Sequence, residues 1–306
     1  MKRCFLNERL KNIFLKNRDM RFIKMTGGLG NQMFIYAFYM RMKKHYSNTR
    51  IDLSDMVHYK AHNGYEMHRV FNLPPIEFRI NQPLKKVIEF LFFKKIYERK
   101  QVPSSLVPYD KKYFWPLLYF KGFYQSERFF ADMADDRRKA FTFNPRLSNR
   151  KTKEMSEQID HDENAVSIHV RRGDYLEPKY WKTTGCVCQL PYYLNAIAEM
   201  NKRISQPSYY VFSDDIAWVK ENLPWPKAFF IDWNKGAESW QDMMLMSRCR
   251  HHIICNSTFS WWGAWLNPRE NKTVIMPERW FRHCETPDIC PDKWIKVPIN
   301  QPDSIQ

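Results

Sequence analysis

The chain has 306 residues, enough for two domains of about 150 residues each with its own core. Its 44% hydrophobic and 16% aromatic content excludes a disordered chain, and no stretch reaches the roughly 18 apolar residues of a membrane-spanning helix. A net charge of +16, from 49 Lys and Arg against 33 Asp and Glu, predicts attraction to polyanions or to an anionic membrane surface. No RRM, KH, zinc-finger or basic-zipper pattern accompanies that charge, which argues against nucleic acid as the partner.

Residues 1–22 are too charged for a secretory signal and lack its apolar centre. Residues 21–25 read as a strand and 33–45 as a helix, joined by Met25-Thr-Gly-Gly-Leu-Gly-Asn-Gln-Met-Phe34. Three glycines let this turn approach a ligand closely, yet no Gly-Lys-Ser/Thr follows and Met33 occupies the third glycine of GxGxxG, so no nucleotide fold is claimed from it. Asn31 and Gln32 stand at the helix entrance, where they can reach a sugar hydroxyl or a phosphate. Residues 50–53 suit a second strand. Residues 84–100 place lysines around an apolar run, the pattern of a basic helix at a membrane surface and equally of a core-docked helix with snorkelling lysines. Gly122-Phe-Tyr-Gln-Ser-Glu-Arg-Phe-Phe130 reads as a turn entering a helix capped by Ser126.

The polar stretch 146–162 marks a boundary between an amino-terminal lobe, 1–155, and a carboxyl-terminal lobe, 156–306. Beyond it strand and helix alternate: strands at 165–170, 209–212, 228–231, 252–255 and 273–276, helices at 191–204, 217–222, 238–250 and 257–266. That alternation predicts a doubly wound parallel sheet whose post-strand loops gather on one rim. Trp261, Trp262 and Trp265 follow helical spacing and suit a core better than a sugar platform.

Three of those loops carry chemistry. His169-Val-Arg-Arg-Gly-Asp-Tyr175 sets an imidazole, two guanidiniums and a carboxylate at a strand end, where a guanidinium can fork onto phosphate oxygens; alone it also fits a solvated turn. Asn256, Ser257 and Thr258 suit a helix cap whose amide groups can hold a diphosphate, although many helices have such a cap with no ligand. Ser213-Asp214-Asp215 follows the strand at 209–212. Seven cysteines at irregular spacing point to reduced thiols and a cytoplasmic setting, with a pairing of Cys284 and Cys290 left open. Cys186-Val-Cys188 lacks a second pair, so no metal site is expected, and His251 and His252 read as structural.

Taken together, GGLGNQMF, GFYQSERFF, HVRRGDY and SWQDMMLMSRCRHHIICNSTFSWWGAWLNP, in that order over residues 27–268, resemble the α-1,2-fucosyltransferases of glycosyltransferase family 11, in the bacterial form without a membrane anchor. The resemblance implies a GT-B-like fold of two Rossmann-like α/β lobes facing a cleft. It implies inverting transfer of L-fucose from GDP-β-L-fucose to the 2-hydroxyl of a terminal galactose on a lactose-type, O-antigen or lipooligosaccharide glycan, with no cofactor or metal. It assigns Arg171 to the β-phosphate, with His169, Ser257, Thr258, the Phe259 amide and Asp214 on the donor side and Asp242 on guanine. Asn31 and Gln32 reach across the cleft. Asp174 is the nearest candidate for the base, unless it pairs with Arg172 and fixes the loop, and Glu127 is a remoter one. Asp214-Asp215 matches the DxD of metal-dependent transferases poorly. Alternatives are a GDP-fucose-dependent enzyme of different linkage, a polyanion-binding protein and a catalytically silent glycan binder. A cytoplasmic protein, peripheral at the inner membrane face, fits the charge.

Overall fold

The computed structural model describes residues 21–300 apart from 60, 61, 75, 77, 82, 84, 87–118, 226 and 287. Two all-parallel sheets organise the chain. In the first, β1 (Arg21–Lys24) lies between β2 (Thr49–Asp52) and β3 (Tyr119–Phe120). Helix α1 (Leu29–His45) crosses over between β1 and β2 and starts four residues earlier than the sequence pattern suggests. The cause is Gly27, whose φ of +84° turns the chain directly from strand into helix. Eleven residues of α1 are buried, so its apolar side chains run around the helix and not along one stripe.

The second sheet has the order β6-β5-β4-β7-β8-β9, built from β4 (Ala165–Val170), β5 (Ser208–Ser213), β6 (Ala228–Ile231), β7 (His251–Ile253), β8 (Val274–Pro277) and β9 (Ile295–Val297). All six residues of β4 are buried, as expected of a central strand covered on both faces. Helices α2 (Arg150–His161), α3 (Leu190–Arg203), α4 (Ile216–Asn222), α5 (Trp240–Arg248) and α6 (Thr258–Leu266) complete this part. The chain runs outward from β4 through β5 to β6, then returns to lay β7 on the other side of β4. Reversal at the β4/β7 boundary opens a crevice at the strands' carboxyl ends, the usual ligand position in such sheets. The α/β class and the two-lobed GT-B-like arrangement expected from the sequence are both present.

Some local expectations fail for physical reasons. The stretch after Ser126 forms two 3₁₀ turns, Glu127–Phe129 and Ala131–Met133, before a short helix at Ala134–Ala140, because Phe130 at φ −149° breaks helical geometry between the turns while burying its ring. Helix α5 is shorter than 238–250, since Gly236–Glu238 forms a separate turn. Of the basic segment, residues 84 and 87–100 lie outside the described residues. Lys85 is buried, paired with Asp55 and 3.6 Å from Asp52. The six described cysteines are free thiols, Cys284 and Cys290 included. No described helix is long and apolar enough to cross a membrane.

Helix α6 joins the two sheets' surroundings. Trp261 and Trp262 are fully buried and Trp265 nearly so, packed as core against α1. Phe34 lies 4.5 Å from Trp261 and 4.8 Å from Trp262 between ring centroids, and Phe130 stacks on Trp262 at 5.6 Å. The Trp262 indole N–H donates to the Gly30 carbonyl at 2.9 Å. A Cβ on Gly30 would stand 2.7 Å and 2.8 Å from the Thr258 carbonyl carbon and oxygen, so only glycine permits this helix contact. Gly30→Ala should therefore lower stability by about 1–3 kcal/mol in urea unfolding, the cost typical of an overpacked core.

Candidate active site

A cleft of about 1000 Å³ opens between the two sheets at their strands' carboxyl ends. The glycine turn after β1 and Asn31 form one wall. The opposite wall takes Arg171 from the end of β4, Asp214 from β5, Asp232 from β6, Asn256 from β7 and Trp280 from β8. One sheet therefore delivers five consecutive loop ends to a single volume.

Arg171 is the best-anchored cation in the cleft. Its Nε donates to Asp174 Oδ1 at 2.9 Å and a terminal nitrogen lies 2.8 Å from the same oxygen, while Asp214 Oδ2 sits 3.3 Å from Nε. Burial works against its charge, but Asp214 and Asp174 outweigh that and hold its pKa above the ordinary arginine value. Arg172 points elsewhere: its Nε pairs with Asp215 at 3.1 Å and its guanidinium lies 3.9 Å over the Trp218 ring. The alternative pairing of Asp174 with Arg172 is thus overturned; Asp174 pairs with Arg171. Asp214 also receives the Arg172 backbone N–H at 2.8 Å, so its oxygens face protein donors and orient the arginine loop. A Cβ on Gly173 would fall 2.7 Å from Asp214 Oδ2, which explains the glycine there.

His169, at the end of β4, is buried, with Nδ1 3.2 Å from the Cys255 sulfur. Desolvation, then the Arg171 charge, lowers its pKa to about 4 against the opposing pull of Asp214, so the ring is neutral near pH 7. Burial first of all pushes the Cys255 thiol up to about 12. The Nε2-protonated tautomer of His169 is the one that allows the protonated Cys255 thiol to donate to Nδ1. Asp242 faces the cleft from the first turn of α5 and receives the Asn234 side-chain amide at 2.8 Å. Desolvation raises its carboxyl to about 7 despite that hydrogen bond.

At the start of α6, the Ser257 hydroxyl caps the helix by accepting the Phe259 N–H at 3.3 Å, a long bond, and both residues line the cleft with Thr258. Asn31 lines the cleft and accepts from Gln125 at 2.7 Å. Gln32 does not reach it. Its amide donates to the Gly27 and Gly64 carbonyls at 2.8 Å and 2.7 Å and its oxygen receives the Glu66 N–H at 2.9 Å, a fully satisfied buried clamp. Glu127 is likewise structural, accepting the Trp265 indole N–H at 3.1 Å. His252 is bound on both ring nitrogens, to Ser167 and Asn267, each at 2.8 Å.

Among the cleft residues that sequence reading does not single out, three carry polar groups suited to a ligand. Gln125 stood inside a quoted motif, Asn256 was read only as a cap, and His62 lies in a loop without periodicity. The Gln125 and Asn256 side-chain oxygens are buried without a hydrogen-bond partner among the described residues. Among those residues, no group of three His, Cys, Asp or Glu is arranged to hold a metal ion.

Comparison with known proteins adds a family signature. The model of glycosyl transferase family 11 matches residues 10–297. An alpha-1,2-colitosyltransferase of Escherichia coli is 32% identical over 292 residues, covering 90% of this chain and 97% of that protein. A galactoside alpha-(1,2)-fucosyltransferase 1 of Ateles belzebuth is 31% identical over 160 residues, covering 49% of this chain and 43% of that one. Among solved structures, NodZ alpha-1,6-fucosyltransferase co-crystallized with GDP superposes with a TM-score of 0.49 at 15% identity over 84% of this chain and 95% of that one.

The raised Asp242 carboxyl has a measurable consequence in the unliganded protein. Stability from keeping it protonated is fully present below the unfolded carboxyl range and is lost as pH rises through about 7. Asp242→Asn, neutral at every pH, should raise the melting temperature clearly more at pH 8 than at pH 5 and leave it nearly unchanged only at about pH 3, below the unfolded carboxyl range, as thermal scans at the three pH values would record.

Proposed function

The chain belongs to glycosyltransferase family 11, and on that premise we propose that it is an inverting galactoside 2-α-L-fucosyltransferase using GDP-β-L-fucose. The observation that carries this reading is Arg171, a half-buried guanidinium held by two carboxylates at the strand-order reversal. A diphosphate leaving group gains negative charge as its bond to the sugar breaks, and a preoriented cation lowers that barrier without reorganising. Arg171 takes the β-phosphate, the His169 Nε2–H adds a neutral donor, and the Ser257 and Thr258 end of α6 supplies hydroxyls and a positive helix terminus.

Guanine fits the Asp242 end of the cleft, because one carboxylate can accept both the N1–H and N2–H donors. Only the ionised form accepts both. GDP affinity should accordingly weaken as pH falls through about 7, where Asp242 takes up its proton. Sugar hydroxyls suit the other wall, where Asn31 lines the cleft with its oxygen engaged by Gln125 and its amide as a donor. A terminal galactose of a lactose-type, O-antigen or lipooligosaccharide glycan is the acceptor proposed. The net charge of +16 suits peripheral contact with an anionic membrane carrying such an acceptor.

The near full-length likeness to a colitosyltransferase favours a second donor reading. Colitose is L-fucose without its 3-hydroxyl, so the two donors share every phosphate and guanine contact. Incubation with lactose and either GDP-fucose or GDP-colitose, with and without EDTA, followed by linkage analysis, separates them. The expected product is a 2-linked fucosyl trisaccharide that forms equally in EDTA. Preference for GDP-colitose would shift the donor assignment, and failure to bind GDP would overturn the reading. Arg171→Ala should reduce transfer by at least about 10²- to 10³-fold while circular dichroism stays unchanged.

A further inference from the structure

We infer that His62 is a catalytic residue of the transfer proposed above, on which this inference rests: its imidazole receives the proton of the acceptor hydroxyl. His62 lines the cleft with Arg171 and Asp174, and its ring lies against the glycine turn, where a Cβ on Gly28 would meet three ring atoms at 3.2–3.4 Å. Its φ of +56° is a left-handed conformation that a residue with a Cβ adopts at a cost of about 1–3 kcal/mol, sustained only where surroundings enforce it. Two anchors do so. Gln32 ties Gly64 and Glu66 to the glycine turn, and Asn63 donates across the cleft to the Gly236 carbonyl at 2.9 Å. The loop is fastened to both lobes with the imidazole between them.

The electrostatic surroundings suit a base. Burial foremost, then the Arg171 charge, lowers the His62 pKa below its ordinary value, while Asp174 opposes both. The ring is therefore neutral at neutral pH and able to accept a proton, and Asp174 stabilises the imidazolium once formed. Among the described residues the Tyr59 ring, 6.3 Å away, is a further titratable neighbour, and its own pKa is raised, chiefly by burial, so it stays neutral. Asp174 is the poorer acceptor, since two nitrogens of Arg171 already engage one of its oxygens.

The step balances without a further reactant. The acceptor oxygen forms its bond to the sugar's anomeric carbon as the bond to the β-phosphate oxygen breaks, that electron pair leaving with GDP. The acceptor O–H proton moves to the imidazole and passes to water after product release. No redox change occurs.

His62→Asn is the variant of choice, because asparagine tolerates a left-handed φ. Transfer kcat should fall by about 10²- to 10⁴-fold, with GDP affinity by calorimetry within about threefold of the unsubstituted protein. The kcat–pH profile should be read at saturating donor, where guanine occupies Asp242 and the acid limb belongs to His62. That limb should vanish in His62→Asn and move to lower pH in Asp174→Asn, which removes the carboxylate that favours the imidazolium. A His62→Asn kcat within about tenfold of the unsubstituted value with its acid limb intact would overturn the inference, as would loss of the limb in Asp174→Asn alone. If His62→Asn fails to bind GDP, the displacement of the limb in Asp174→Asn decides alone. Absence of any transfer by the unsubstituted protein would overturn the fucosyltransferase reading itself, and this inference with it.

Discussion

The contact of Gly30 with Thr258 governs the rest of the molecule. Two helices from distant parts of the chain meet there, Gly30 lying against the backbone and hydroxyl of Thr258, and the Trp262 indole closes the contact with a hydrogen bond to the Gly30 carbonyl. Around that point Phe34, Phe130, Phe141 and the three tryptophans of α6 form one aromatic seam. Such ring pairs each add roughly 0.5–1.5 kcal/mol beyond their buried area. Because Thr258 also borders the cleft and Gly30 lies one residue before Asn31, the seam sets the spacing of the cleft walls directly. Structural and functional residues are here neighbours in sequence and in space.

Charge at the site is arranged by the same economy of position. The adjacent arginines diverge because successive residues leaving a strand face opposite ways. Arg171 is aimed into the cleft by Asp174 and Asp214, while Arg172 is spent on Asp215 and the Trp218 ring. The Asp214 carboxylate accepts from the backbone of one arginine and lies against the side chain of the other, so β4 and β5 loops cannot shift independently. His169 is kept neutral and Asp242 is kept close to half-protonated near pH 7 by burial in the same cleft. Desolvation thus acts in opposite senses on a cation-former and an anion-former within one cleft.

The carboxyl-terminal half was largely legible from sequence, since buried parallel strands write continuous apolar runs and the loops after them carry the charged clusters. Strand β9 escaped because Ile295, Lys296 and Val297 are too short a run to stand out among polar neighbours. Residue type at a helix entrance misled for Gln32: an amide directed at backbone carbonyls and one directed at a ligand have the same sequence appearance. Asn31 and Gln32, adjacent in sequence, lie on different sides of α1, and only the fold tells which one meets the cleft. Glu127 was similarly ambiguous until Trp265 appeared as its partner. His62 left no signal at all, because a loop conformation enforced by long-range hydrogen bonds has no local periodicity.

The aromatic seam also dictates when the protein can become itself. Gly30 and Trp262 are 232 residues apart in the chain, so the side of α1 that meets Trp261 and Trp262 stays uncovered in a nascent polypeptide until α6 has been made. The first lobe therefore has no finished core of its own during synthesis. Over that interval the uncovered apolar rings are open to aggregation and to chaperones.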